Sequence, residues 1–247
     1  MKIKKLILVV LGIGVFLNVR SQTIFLAKGK IEFERKINVH RQYEGMEDED
    51  WFKEYITKMP KFNTTYFDLY FNDTKTLYKP GREMQNPRVW GIGPAKENVI
   101  VTDLEKNTFT SQKAVFEDTY IIQDSVKNLQ WKIGDETRTI AGFECRKAVA
   151  KICDSVYIVA FFTDEITTTG GPESFCGLPG MILGLAIPRL YTTWFATKVE
   201  LVEPTASQFN PPTKGKKTNE RDLEKKLQSS LKDWGKEGQR NIWWVIL

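Results

Sequence analysis

The sequence predicts a mainly β chain: a large curled antiparallel sheet of about ten strands, an open or half β-barrel, with two short helices. Three observations predict it. Apolar residues alternate with polar ones at a period of two through most of the chain, as in strands that bury one face. The alternating runs are joined mostly by short turn-forming stretches. Only two segments carry the three-to-four-residue apolar spacing of an amphipathic helix.

Residues 1–21 read as a secretory signal peptide. Lys2, Lys4 and Lys5 precede an apolar run from Leu6 to Leu17, and Val19 and Ser21 suit cleavage before Gln22. A run of this length is short for a span, which needs about 20 residues. No cysteine follows it, so the expected location is the periplasm or an outer-membrane association, without a lipid anchor. The rest, 22–247, is expected to form a single β-rich domain with no transmembrane span.

The strands follow in order. Ile31, Phe33, Ile37 and Val39 alternate with Glu32, Glu34, Lys36 and Asn38. Phe67, Leu69 and Phe71 share a face, and the stretch FNDTKTLY reads as a hairpin. Further strands are expected at 99–104, 108–113, 119–123 and 129–133. The runs 137–152 and 156–162 form a hairpin reversing at Cys153-Asp154-Ser155, and 181–187 pairs with 191–202. The helices are 48–59, which stops before Pro60, and 218–235, with Thr218 as N-cap and Leu223, Leu227, Leu231 and Trp234 along one stripe. A low-order loop, 204–218, precedes it. The apolar IWWVIL at 242–247 suits a final strand or a docked tail.

Most of the formal net charge of +5 belongs to the export segment. Lys2, Lys4, Lys5 and Arg20 carry four of the 36 basic charges and no acid precedes Glu32, so residues 22–247 hold 32 basic residues against 31 acids. Nothing in that balance would neutralise a phosphate backbone, which argues against nucleic-acid binding. His40 is the sole histidine, so a Ser-His-Asp triad or Cys-His pair has little to build on, and no Gly-x-Ser-x-Gly elbow or nucleotide-binding glycine loop is present. Asp164, Glu165 and Glu173 could supply a carboxylate pair, although acids in such turns are usually solvated. Cys145, Cys153 and Cys176 leave pairing open: one disulfide with a spare thiol, an intermolecular bridge, or three thiols. Neither a metal site nor a cofactor is expected.

The stretch GGPESFCGLPGMILGL, 170–185, concentrates glycine and proline before an apolar run. Gly170-Gly171-Pro172 and Pro179-Gly180 are turn chemistry, the latter suited to a type II turn, and Met181-Ile182-Leu183 begins a strand apolar on both faces. With WKIGDETRTIAGFECRKAVA (131–150) and KFNTTYFDLYFNDTKTLY (61–78), this stretch resembles the GLPGLI family, a set of exported proteins found mainly in Bacteroidota. Gly177-Leu178-Pro179-Gly180-Met181-Ile182 stands at the name motif, with Met181 in place of its second Leu. Gly171-Pro172 matches the preceding Gly-Pro, and Cys145 the cysteine of the Ile-x-Gly-[Phe/Tyr]-x-Cys element. Phe161 and Thr167 depart from the pattern.

The resemblance implies an envelope location, and a similarity to the half-barrels of lipoprotein carriers. The expected function is therefore a non-catalytic binding or carrier module for an apolar, lipidic or peptide ligand, with Gly171, Pro172, Gly177, Leu178, Pro179, Gly180, Met181 and Ile182 at its binding turn and strand. A structural or accessory protein of an outer-membrane complex is the alternative, and a thiol enzyme using Cys176 the third reading.

Overall fold

The computed structural model describes residues 25–44, 50–83, 93–152 and 155–247; the side chains of 50–52 are not described. Residues 1–21, expected to be a signal peptide, and Cys153 and Asp154 of the expected turn lie outside the described residues. Twelve strands form one sheet among them: β1 (Gly29–Asn38), β2 (Phe62–Phe71), β3 (Lys75–Pro80), β4 (Val99–Asp103), β5 (Thr108–Val115), β6 (Asp118–Ser125), β7 (Lys132–Ile140), β8 (Phe143–Ile152), β9 (Val156–Thr163), β10 (Met181–Ile187), β11 (Thr192–Glu200) and β12 (Lys216–Thr218). Their order is β12-β6-β5-β4-β3-β2-β1-β11-β10-β9-β8-β7. Two meanders, β1 to β6 and β7 to β11, thus lie side by side and join where β1 pairs with β11, from Lys30 opposite Glu200 to Ile37 opposite Thr192.

The sheet is curled but not closed. The second meander curls back on itself: a Cβ on Gly184 of β10 would lie 2.9 Å from Ile140 Cδ1 of β7, three strands away in the sheet order. Only glycine leaves room for that approach. Among the described strands the one parallel pair is β12 with β6. Its three residues sit in the expected loop, where nothing but backbone pairing distinguishes them from a linker.

Among the described residues four α-helices accompany the sheet: α1 (Val39–Gln42), α2 (Asp50–Lys58), α3 (Glu220–Ser230) and α4 (Gly235–Ile246). Asn219, rather than Thr218, caps α3, its side chain accepting from the Asp222 N–H. Leu223, Leu227 and Leu231 are buried as the stripe requires, whereas Trp234 is half exposed. IWWVIL is a docked tail, but helical: Ile242, Trp244, Val245, Ile246 and Leu247 are all buried in α4 and at its end. Lys113 Nζ donates to the main-chain oxygens of Val245 (3.0 Å) and Leu247 (2.5 Å), and Lys127 Nζ to that of Ile246. These two ammonium groups satisfy carbonyls that a helix leaves unpaired at its C-terminal end, where the dipole also favours positive charge.

The expected strand 137–152 is broken in the middle. Ala141 (φ 50°) and Gly142 (φ 90°) reverse the chain between paired Ile140 and Phe143, the two-residue turn with positive φ at both positions that suits a twisted hairpin. No described helix is long and apolar enough to cross a membrane.

Candidate functional site

The motif loop connects β9 to β10 and is tied down along its length. Leu26 N–H donates to Glu165 O at 2.8 Å, Thr168 Oγ1 to the carbonyls of Ala27 and Asn72, and Ile182 N–H to Gly170 O at 2.7 Å. Gly180 N–H bonds Leu178 O at 2.8 Å, two residues back, so the turn is a tighter one centred on Pro179 than the expected type II. Gly180 has φ 138°, and a Cβ there would lie 2.0 Å from Thr163 O. Gly171, Pro172, Leu178, Gly180, Met181 and Ile182 are buried, while Gly177 and Pro179 are exposed. The hexapeptide is a packed corner.

What that corner carries inward is Glu173. Its backbone is left-handed, φ 56°, and its side chain is buried against the sheet, where Asn98 Nδ2 donates to Oε2 at 2.8 Å. Around it stand three more buried polar groups. Tyr78 Oη accepts from Trp194 Nε1 at 3.0 Å, and burial, then the charge of Glu173, push its pKa well up. Arg35 donates through Nε to Thr65 Oγ1 and through Nη2 to Lys96 O, with its guanidinium 4.5 Å from the Phe67 ring centroid. Burial lowers the pKa of Lys113, and the negative charges of Glu173 and Glu220 oppose that shift. An acid, a guanidinium and an ammonium thus share a low-dielectric interior, where one uncompensated charge would be costly.

Period-two geometry explains how they arrive there. In β1 the inward positions are Ile31, Phe33, Arg35 and Ile37, and in β5 they are Phe109, Ser111, Lys113 and Val115. Charged residues at core positions were the signal available in the sequence. Glu173 gave no such signal, because its glycine- and proline-rich neighbourhood reads as a solvated turn.

Two clefts flank Trp234 on the α4 face. One, of about 460 Å³, is lined by residues 93–97, Ala114, Phe116, Trp234, Glu237 and Asn241. Within it, burial and then the nearby Arg35 lower the pKa of Lys96. Phe116 and Trp234 meet edge to face at 5.8 Å, each about half exposed. The other cleft, of about 710 Å³, lies between α1, α4 and the turn before β11, with Tyr191, Trp234 and Trp243 among its walls. Of the six described non-glycine residues with positive φ, Ala95 and Phe116 line the first cleft and Tyr191 the second. A left-handed backbone is rare for a bulky side chain, and such strain gathers at functional surfaces.

The thiol reading fails on the chemistry of the thiols. Cys145 and Cys176 are not bonded to each other, and burial pushes them up to about 12 and about 11. Neither is a thiolate at neutral pH, as a nucleophile must be. His40, the sole histidine, lies in α1 with its Nε2 3.0 Å from Met59 O. Among the described residues no cluster of His, Cys, Asp and Glu could hold a metal.

Comparison with known proteins assigns the fold. Residues 91–223 match the family described as N-glycanase peptide, N-terminal domain. A solved structure of PNGF-II in its P21 crystal form superposes with a TM-score of 0.53 at 14% identity, covering 83% of this chain and 34% of that one. A second, in the C2 form, gives 0.51 at 15%, covering 85% and 33%. The chain therefore spans about a third of the length of the solved structures it matches. No curated protein matches it.

These matches overturn the expected non-catalytic carrier, and with it both the accessory-protein alternative and the reading as no enzyme, since the family is one of N-glycanase domains. The physical reason is visible in the fold. The inner side of the sheet, where an apolar ligand was expected, holds the Glu173 cluster and the buried end of α4, with the Trp194 and Trp244 rings 6.4 Å apart.

Proposed function

Because the chain belongs to the family of N-glycanase N-terminal domains, we propose that it works in the enzymatic cleavage of N-linked glycans, and that its α4 face meets the glycan. The observation that carries the second part is the gathering of strained non-glycine residues, Ala95, Phe116 and Tyr191, around the half-exposed Trp234. Aromatic faces of this kind suit the apolar faces of sugar rings, with polar groups at the rim for hydroxyls. The buried cluster of Glu173, Arg35 and Lys113 lies beneath the first cleft and fixes its floor, through the Arg35 bond to Lys96 O. Export directed by residues 1–21 belongs to the same proposal, since N-glycans are carried on the surfaces of secreted proteins. So does reading the hexapeptide corner as a GLPGLI-type element within this family.

The test is a time course of the protein with a labelled N-glycopeptide, read by mass spectrometry. Free glycan is expected to accumulate above the blank, and more slowly with Trp234→Ala. No release, together with equal binding of glycosylated and bare peptide, would overturn the reading.

A further inference from the structure

The larger cleft carries a charge pattern that goes beyond sugar binding in general. Arg41, Arg189, Lys236 and Arg240 line it against only Glu44 and Glu237. Arg41 is committed to Glu44, 2.6 Å away. Arg240 spends one nitrogen on Gln42 O at 2.5 Å. Arg189 lies over the Trp243 ring, 5.7 Å from its centroid, with no carboxylate partner among the described residues, and the same holds for Lys236. A guanidinium stacked on an indole keeps the edge that recognises a carboxylate by two parallel hydrogen bonds.

Aromatic groups complete the cleft. Tyr191 follows the turn Pro188–Leu190 with φ 49°, and its main-chain oxygen accepts from the Asn38 N–H at 2.9 Å. Its partly exposed ring thus lines the cleft from a backbone conformation that a tyrosine rarely adopts. Tyr191, Trp243 and Trp234 offer faces for a ring, and about 710 Å³ lies within the usual range for a small-molecule site.

We infer that this cleft binds a carboxylated sugar, Arg189 taking the carboxylate and Tyr191 or Trp243 the ring. The inference rests on the proposed glycan-handling role of the same face and narrows it to an acidic residue. Its chemistry fits two sources, a sialic acid or a hexuronic acid.

Titration with free oligosaccharides separates the possibilities: 3′-sialyllactose, digalacturonate and lactose, followed by calorimetry at low and high salt. At least one acidic probe is expected to bind about tenfold more tightly than lactose, a difference of about 1.4 kcal/mol. That preference should fall with salt and disappear in Arg189→Gln. Lys236→Gln, at an exposed position, should weaken the preference about threefold and serves if the first variant misfolds. Equal binding of acidic and neutral probes, no binding of any, or a preference that survives both substitutions would overturn the inference. Because none of the probes has an asparagine linkage, acid-selective binding without glycan release would sink the glycanase proposal alone, and release without acid selectivity would sink this one alone.

Discussion

Replacing Glu173 by Gln isolates the electrostatics of the buried cluster, because shape and the left-handed backbone stay the same. The substitution weakens the charge-assisted bond from Asn98, worth about 1.5–3 kcal/mol. It also leaves Arg35 and Lys113, both 2% exposed, without the acid that faces them. Removing one partner from a buried charge cluster costs about 3–5 kcal/mol, and that is the expected loss. Urea denaturation followed by tryptophan fluorescence should show a lower midpoint with little change in slope. The Arg35→Met, Glu173→Gln double variant should recover about 1–3 kcal/mol relative to additivity. A loss below about 0.5 kcal/mol in Glu173→Gln, the level of an ordinary surface change, would refute the claim that this residue neutralises the interior.

Other outcomes follow from the same geometry. Gly180→Ala places a methyl 2.0 Å from Thr163 O and should cost more than about 3 kcal/mol or prevent folding, whereas Gly142→Ala, with positive φ but no atom within 4 Å, should cost only about 1 kcal/mol, both read from melting curves. Trp244→Ala empties a buried ring from between the sheet and α4 and should cost about 3–5 kcal/mol by urea denaturation. Iodoacetamide at neutral pH should alkylate Cys176 about a hundredfold more slowly than a free thiol, since its pKa of about 11 stands two units above the ordinary value. Tyr78 keeps its proton in the fold to higher pH than in the unfolded chain, so its contribution is complete below pH 10 and is lost as pH rises through its folded pKa; an alkaline stability profile of Tyr78→Phe should lack that decline.

The fold was legible wherever one face of a strand is buried. Ile31 and Phe33, or Phe67 and Leu69, announce their strands because period two and burial coincide. Three features were not. The Ala141-Gly142 reversal lacks the Asn-Gly or Asp-Gly pair that usually marks such a turn, so the part of β7 from Thr137 onward and β8 read as one strand, 137–152, and the start of β7 as another. Ile242 to Leu247 is apolar at every position, which leaves no period to separate helix from strand. β12 is held by three residues of parallel backbone pairing that leave no side-chain pattern.

The site was less legible than the fold. Arg35 and Lys113 occupy inward positions that their strands' alternation marks, so the sequence contained them. Glu173 becomes buried where the loop that carries it meets Asn98, just before β4, and Tyr78 of β3, a long-range fact. Trp234 fits the apolar stripe of α3 by spacing. The chain leaves that helix at Leu231, however, and turns the ring outward between the two clefts.

The most direct test of the account is the indole N–H region of a nitrogen–proton correlation spectrum, in which the seven tryptophans report separately. Titrating an N-glycopeptide should shift Trp234 and Trp243 on the α4 face and leave the buried Trp194 unmoved, while the bare peptide shifts neither. Shifts that are the same with and without the glycan, or that spare Trp234 and Trp243, would contradict the claim that this face meets the glycan.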